Sequence, residues 1–138
     1  LSLVIGVFTV DYHGNNMEKR KSFTIPRKEW LRGEPERSML YNPCMEKLCC
    51  LGHYGLFCGV PKQNMHYLGV LANVMITAHT AAFLEKLVVV DGNTISHKPV
   101  TTALMKINDS LDISEEDREQ RIKDQFREHL NVDVIFVD

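Results

Sequence analysis

The chain reads as an α+β protein, a single small domain in which a short antiparallel or mixed sheet carries helices packed on it. Three stretches lead there. Lys21, Ser22, Phe23, Thr24 and Ile25 alternate polar and apolar side chains and are stopped by Pro26, the pattern of a short strand. Ser114 is a helix N-cap followed by Glu115, Glu116 and Asp117, acids that favour the positive end of a helix running to about Leu130. Val132–Val137 is then the clearest strand, apolar on both faces in its second half, and is expected to lie centrally in the sheet.

The elements between follow from local chemistry. Pro26 suits the start of a helical turn over residues 27–32, which Gly33 ends. Residues 33–43 are turn-rich, with Ser38, Met39, Leu40 and Tyr41 as a short strand between two prolines. Residues 48–57 read as a helix bearing small residues, with Leu48, Gly52, Leu56 and Gly59 on one face and Gly59, Val60 and Pro61 closing it. Met65, Leu68, Leu71, Val74 and Met75 fit a buried helix within residues 63–87. Val88, Val89 and Val90 form a strand entering a tight turn at Asp91, Gly92 and Asn93. Residues 101–107 make a short helix with Asn108 as its C-terminal residue. On the last helix, Asp117–Arg121 and Glu119–Lys123 are spaced to pair.

A chain of 138 residues is one domain by length and can bury a core without staples. Hydrophobic content of 44% and charged content of 25% indicate neither a disordered chain nor a membrane protein. The net charge of −2 removes the usual argument for broad nucleic-acid binding. Charge is unevenly spread: residues 17–47 hold eight Lys/Arg against five Glu, and residues 107–138 hold ten Asp/Glu against four Lys/Arg. That asymmetry means a polarised surface or pairing between the two ends, with solvated faces the simpler expectation. The apolar opening, residues 1–10, is far shorter than the roughly 20 residues of a spanning helix. All four cysteines fall within residues 44–58, a crowding unlike a secreted disulfide scaffold, so free thiols in a reducing cytoplasm are expected. The first Met is Met17, which suggests translation starting there and residues 1–16 as an upstream extension, with residues 17–138 the domain. The alternative is an edge strand over residues 4–10, which are rich in β-formers.

Several short motifs recur together. Ile25, Arg27, Trp30, Arg32 and Gly33 follow I-x-R-x-x-W-x-R-G, and Cys49, Cys50, Leu51 and Gly52 form a C-C-L-G core. Ile107, Asn108 and Asp109, then Arg118 and Glu119, then Val134, Phe136, Val137 and Asp138 complete an IND…RE…V-x-F-V-D pattern. The combination, over about residues 23–138, resembles a group of small uncharacterised proteins encoded by bacteriophages, prophages and related bacterial elements. The resemblance brings no functional residues with it. It implies an accessory protein in the cytoplasm of a bacterial host that binds and diverts a host component.

Candidate sites each have a plain packing alternative. Cys49 or Cys50 with His53 one helical turn on, completed by Cys44 and Cys58, supplies four N/S ligands for zinc. Paired C-x2-C knuckles are absent, and residues 49, 50, 53 and 58 point around a helix, so no metal or other cofactor is assigned. The same Cys49, Cys50 and His53 are the centre of an alternative reading as a metal- or thiol-dependent enzyme. Packing is the simpler account, with cysteine as a small hydrophobe and Gly52 and Gly55 allowing close contact. Asp109, Asp112, Glu115 and Glu116 cluster before the last helix without a calcium-loop pattern, and read as turn and helix-start residues. Arg27, Arg32 and Arg37 beside Trp30 form the candidate binding surface, suited to phosphates and a stacked base, although Trp30 followed by Leu31 reads more simply as a core anchor with the basic residues on the solvated side.

Standard enzyme signatures are missing. The expectation is therefore a non-enzymatic protein that binds a host macromolecule, a host protein first, with nucleic acid or a small anionic ligand as alternatives and no membrane partner.

Overall fold

The computed structural model describes residues 20–66 and 80–138 in full, together with the backbone of three short strands ahead of them. Those strands, β1 (Leu3–Ile5), β2 (Phe8–Val10) and β3 (Asn16–Glu18), pair antiparallel in the order β1-β2-β3. The single edge strand read over residues 4–10 is thus two strands of a meander. The buried helix read through Met65 lies mostly outside the described residues; Met65 itself ends a 3-10 turn, Lys62–Met65, and is buried.

The α+β architecture is as expected, with mixed pairing in small sheets. β4 (Lys21–Pro26) and β9 (Val132–Val137) run parallel, in register from Lys21 opposite Val132 to Pro26 opposite Val137. Phe23, Ile25, Val132, Val134 and Phe136 line the inner face and are buried. Beyond β4, Trp30 bridges Leu48 of β6 (Lys47–Leu48), which pairs antiparallel with β5 (Tyr41–Asn42). Onto this ribbon pack α1 (Cys50–Phe57) and α4 (Glu115–Leu130), and α3 (Pro99–Asp109) packs against both helices. The short α2 (Ala81–Glu85) leads into the hairpin of β7 (Val88–Asp91) and β8 (Thr94–His97). The core is aromatic at its centre, where Phe126 meets Phe23 at 5.2 Å edge-on and Tyr54 at 5.3 Å. Fully burying side chains such as Ile25, Leu51, Leu104 and Ile122 contributes about 1.5–3 kcal/mol apiece.

Four expectations need correction. The strand over Ser38, Met39, Leu40 and Tyr41 is displaced to Tyr41–Asn42, because the stretch before it is a turn with Arg37 N–H bonded to the Glu34 carbonyl. The cysteine helix begins at Cys50, since Leu48 is engaged as strand β6 and accepts from Leu31 N–H at 2.8 Å. β9 is not central: among the described residues it pairs with β4 alone, and Ile135 and Val137 are exposed on its outer face. Asn108 is not a terminal residue but lies within α3, which runs to Asp109, and is only 1% exposed.

That buried carboxamide is the junction of the domain. Its Oδ1 accepts from the Trp30 indole N–H at 2.9 Å and from the Cys50 backbone N–H at 3.1 Å. Its Nδ2 donates to the Leu31 carbonyl and to Asp109 Oδ1, each at 3.0 Å. A carboxamide offers two acceptor lone pairs and two donors, and all four are engaged. Arg118 closes the other side. Its guanidinium donates to the carbonyls of Ile107 and Asn108 at 2.8 and 2.9 Å, satisfying the last turn of α3, which the helix itself leaves unbonded. Gly33, at a positive φ of 65°, donates its N–H to the Asn108 carbonyl, a backbone conformation that suits glycine.

The asymmetric charge is resolved by pairing between the ends of the chain, the alternative to solvated faces. Arg27 grips Glu119 through two N–H donors at 2.8 Å and reaches Asp138 at 3.0 Å. Arg32 meets Glu115 at 2.6 Å, and Arg20 meets Asp133 at 3.1 Å. Glu119, spaced to pair with Lys123 on α4, is turned to Arg27 instead. The N-cap at Ser114 holds, accepting from Asp117 N–H at 3.1 Å.

Glycine at the α1 contact is required by closeness. A Cβ on Gly52 would run into the Leu40 carbonyl, and one on Gly55 would lie 2.8 Å from Met65 Sδ. Gly52→Ala is expected to lower unfolding free energy in urea by about 1–3 kcal/mol, the usual cost of overpacking a rigid contact. Gly59→Ala, facing open space at φ 93°, should cost only about 1 kcal/mol of backbone strain. Equal effects at the two positions would refute the packing account.

Candidate functional site

The cysteine segment is a packed helix whose reactive groups diverge. Cys50, Leu51, Gly52, His53, Tyr54 and Gly55 are all buried. Cys49 is the N-cap of α1, and burial raises its thiol to about 11 although the N–H groups of Gly52 and Leu51 oppose the shift. Cys50, fully buried with Sγ 3.9 Å from the Leu104 carbonyl, is also pushed well up, by desolvation and by Cys49 beside it. Burial also raises Cys58, which contacts the Tyr54 hydroxyl. A thiol held well above neutrality is a poor nucleophile.

His53 supplies no base to these thiols. Its Nε2 lies 3.0 Å from the Glu29 carbonyl, which can only accept, so Nε2 carries the proton. Burial lowers its pKa, so the ring is neutral at neutral pH. Cys44 is exposed in the turn between β5 and β6. Among the described residues, no three His, Cys, Asp or Glu side chains are grouped to hold a metal ion, so Cys44, Cys49, Cys50, His53 and Cys58 offer no common centre.

The basic candidates are likewise drawn into the structure. Trp30 is 1% exposed, tilted against Phe136 at 4.8 Å and covered by the Arg32 guanidinium at 4.4 Å. Arg27 and Arg32 hold Glu119 and Glu115. Arg37 is exposed in its turn. The four residues thus do not present a flat, cationic stacking surface. Of the carboxylates, Asp109 takes the Ser38 hydroxyl at 2.6 Å, and Glu115 is held below its usual range by Arg32 and Arg118 against the opposing effect of burial. Asp112 donates its backbone N–H to Ser110 Oγ, a turn contact.

What remains is a concave surface on α3. A cleft of about 230 Å³ is lined by Ser38, Met39, Leu40, Cys49, Met105 and Asp109 among others. It adjoins an open groove of about 780 Å³, with which it shares Pro35, Met105 and Asp109. The groove adds Ala103, Ile107, Leu111 and Ile113, with Lys106, Asp112 and Arg121 at its sides. Leu111 is 71% exposed, the most exposed of the large apolar side chains described. These residues escaped the sequence reading because an isolated Leu in a polar turn is ordinary. Only the fold brings Pro35 from the turn after Gly33 into one groove with Met105 and Ile107, half-buried at the edge of the core.

The arrangement makes a direct expectation for thiol chemistry. In native protein a disulfide-exchange reagent should modify Cys44 within seconds and Cys58 more slowly. Cys49 and Cys50 should react only at the rate of unfolding. Rapid native modification of Cys49 or Cys50, read by mass spectrometry, would overturn this placement.

Comparison with protein-family models, with curated proteins and with solved structures found no match to the chain.

Proposed function

We propose that this protein acts by binding another protein, and that the apolar groove of α3 is the contact surface. The observation that carries the reading is Leu111, a large apolar side chain left mostly exposed in the lining of a groove that also holds Met105, Ile107 and Ile113. Contiguous apolar concavities with charged rims are characteristic of interaction sites, whereas scattered apolar residues are not. The partner is a polypeptide that inserts apolar side chains between Pro35 and α3, with Lys106, Asp109, Asp112 and Arg121 setting register at the rim. The interior supports the same reading from the other direction: Cys49 and Cys50 are buried protonated thiols and His53 faces a backbone carbonyl, so the most reactive side chains are engaged in packing. Arg27 and Arg32, the cations of the sequence-predicted binding surface, serve the fold.

The motif resemblance supplies the setting of the proposal: a phage or prophage accessory protein working in a bacterial cytoplasm, with a host protein as target. Among the described residues no helix is long and apolar enough to cross a membrane.

A photo-crosslinking amino acid at Leu111, in protein expressed in bacteria, is expected to give one dominant crosslinked host protein. The same group at Val90 on the β7–β8 hairpin should not. Leu111→Asp should weaken binding to that purified partner by about tenfold or more, the equivalent of losing one buried leucine. A crosslink pattern common to Leu111 and Val90, or full affinity in the Leu111→Asp protein, would overturn the proposal.

A further inference from the structure

A second concave surface lies on the other side of α3, and its chemistry is opposite. One hollow of about 670 Å³ is lined by Lys86, Lys98, Ala103, His129, Leu130 and Asn131, among others. A second, of about 450 Å³, shares Lys86, Leu130 and Asn131 with it and adds Lys21, Tyr54 and Phe57. The two are therefore continuous around Lys86. Among the described residues, their lining holds three lysines and a histidine and no Asp or Glu, in a chain whose net charge is −2. Elsewhere the cations flanking the sheet are paired with carboxylates, as Arg20, Arg27, Arg32 and Arg127 are.

We infer that this groove binds single-stranded nucleic acid, with Lys21, Lys86 and Lys98 on the phosphates and Phe57 against a base. The positive lining matches a phosphate backbone in sign and extends along the surface rather than gathering at one point, as a channel for a strand requires. Lys98 rests its Nζ on the Glu85 carbonyl at 3.0 Å, a contact that positions the ammonium and leaves its charge intact. The first turn of α3 opens on the same hollow at Pro99 and Val100 without a side-chain cap, adding the positive end of an eleven-residue helix to the lysine field.

Phe57 decides between nucleic acid and other polyanions. It is 40% exposed, an unusual place for a phenylalanine, and its ring is stacked on Phe23 at 5.4 Å, 26° from parallel. A ring backed by the core in this way is a fixed platform for an unpaired base, which stacks without sequence preference. An acidic peptide has no use for that face, and a duplex hides its bases from it. The inference does not depend on the apolar groove, with which the lysine-lined hollow shares Ala103 alone among the residues named for each.

The test is fluorescence anisotropy with a labelled oligo-dT and a labelled oligo-U at 50 mM salt. Binding is expected, with affinity falling as roughly the second power of salt concentration for three phosphate contacts. The Lys21→Ala/Lys86→Ala protein should bind about tenfold more weakly. Phe57→Leu, which keeps the apolar contact with Phe23 but removes the ring, should bind about fivefold more weakly. Lys28→Ala, outside the groove, should bind as the parent protein does. Three results would overturn the inference: no binding at 50 mM salt, binding unchanged in the lysine double variant, or competition by polyglutamate or duplex DNA as effective as by unlabelled oligo-dT.

Discussion

The Asn108 carboxamide holds two distant stretches of chain against its own helix in one geometry, and most of the domain is arranged around it. Trp30 follows the first core strand, Cys50 begins α1, and Leu31 continues the turn toward Gly33; each gives Asn108 a hydrogen bond or takes one from it. In water these groups would be satisfied anyway, so the net gain per bond is modest. Inside the core the balance is different, because a donor left without its acceptor there costs about 1–3 kcal/mol. The network thus acts less as glue than as a constraint: α3 can pack in one register only. Arg118 extends the constraint to α4 by capping the end of α3 while itself held by Glu115.

The ion pairs do a related job at the surface. Arg27 lies after β4, Glu119 is in α4, and Asp138 follows β9, so this triad ties the C-terminal ends of both parallel strands to the helix that packs on them. Two-stranded parallel sheets are rarely stable alone. Here the connection between the strands spans nearly the whole domain, and side-chain bonds fasten both ends of it. Exposed pairs of this kind contribute little individually, and the bidentate Arg27–Glu119 contact is the one among them with the most favourable geometry.

Much of the fold was legible where one residue type has one physical reason to be present. Pro26 ends β4, Ser114 caps α4, and Gly92 turns the β7–β8 hairpin, each from its own backbone chemistry. Asn108 was misread because an Asn near the end of a helical pattern is normally a terminator, and nothing local reveals that Trp30 is waiting for its oxygen. Arg118 was invisible for the same reason, since a buried arginine in a charged helix looks like its solvated neighbours. The motifs around Trp30, Cys50, Asn108 and Arg118 turn out to be one connected structure rather than four sites. Both candidate surfaces were illegible because they join residues far apart in sequence: Pro35 with Leu111, and Lys21 with Lys86 and Phe57. The basic residues that drew attention first, Arg27 and Arg32, stand close in sequence and are the ones the fold consumes.

The central claim, that Asn108 fixes the packing of the motif-bearing segments, is open to one direct measurement. Asn108→Leu keeps the branched shape and heavy-atom count of the side chain but leaves the Trp30 indole N–H, the Cys50 N–H and the Leu31 carbonyl without its hydrogen bonds. Urea unfolding followed by the fluorescence of the single tryptophan reports on this junction itself. The expected result is a loss of about 3 kcal/mol or more in unfolding free energy, together with a red-shifted native emission as the indole loses its fixed, dry position. A loss below about 1 kcal/mol with unchanged emission would contradict the account, since it would mean the segments hold their register without this side chain.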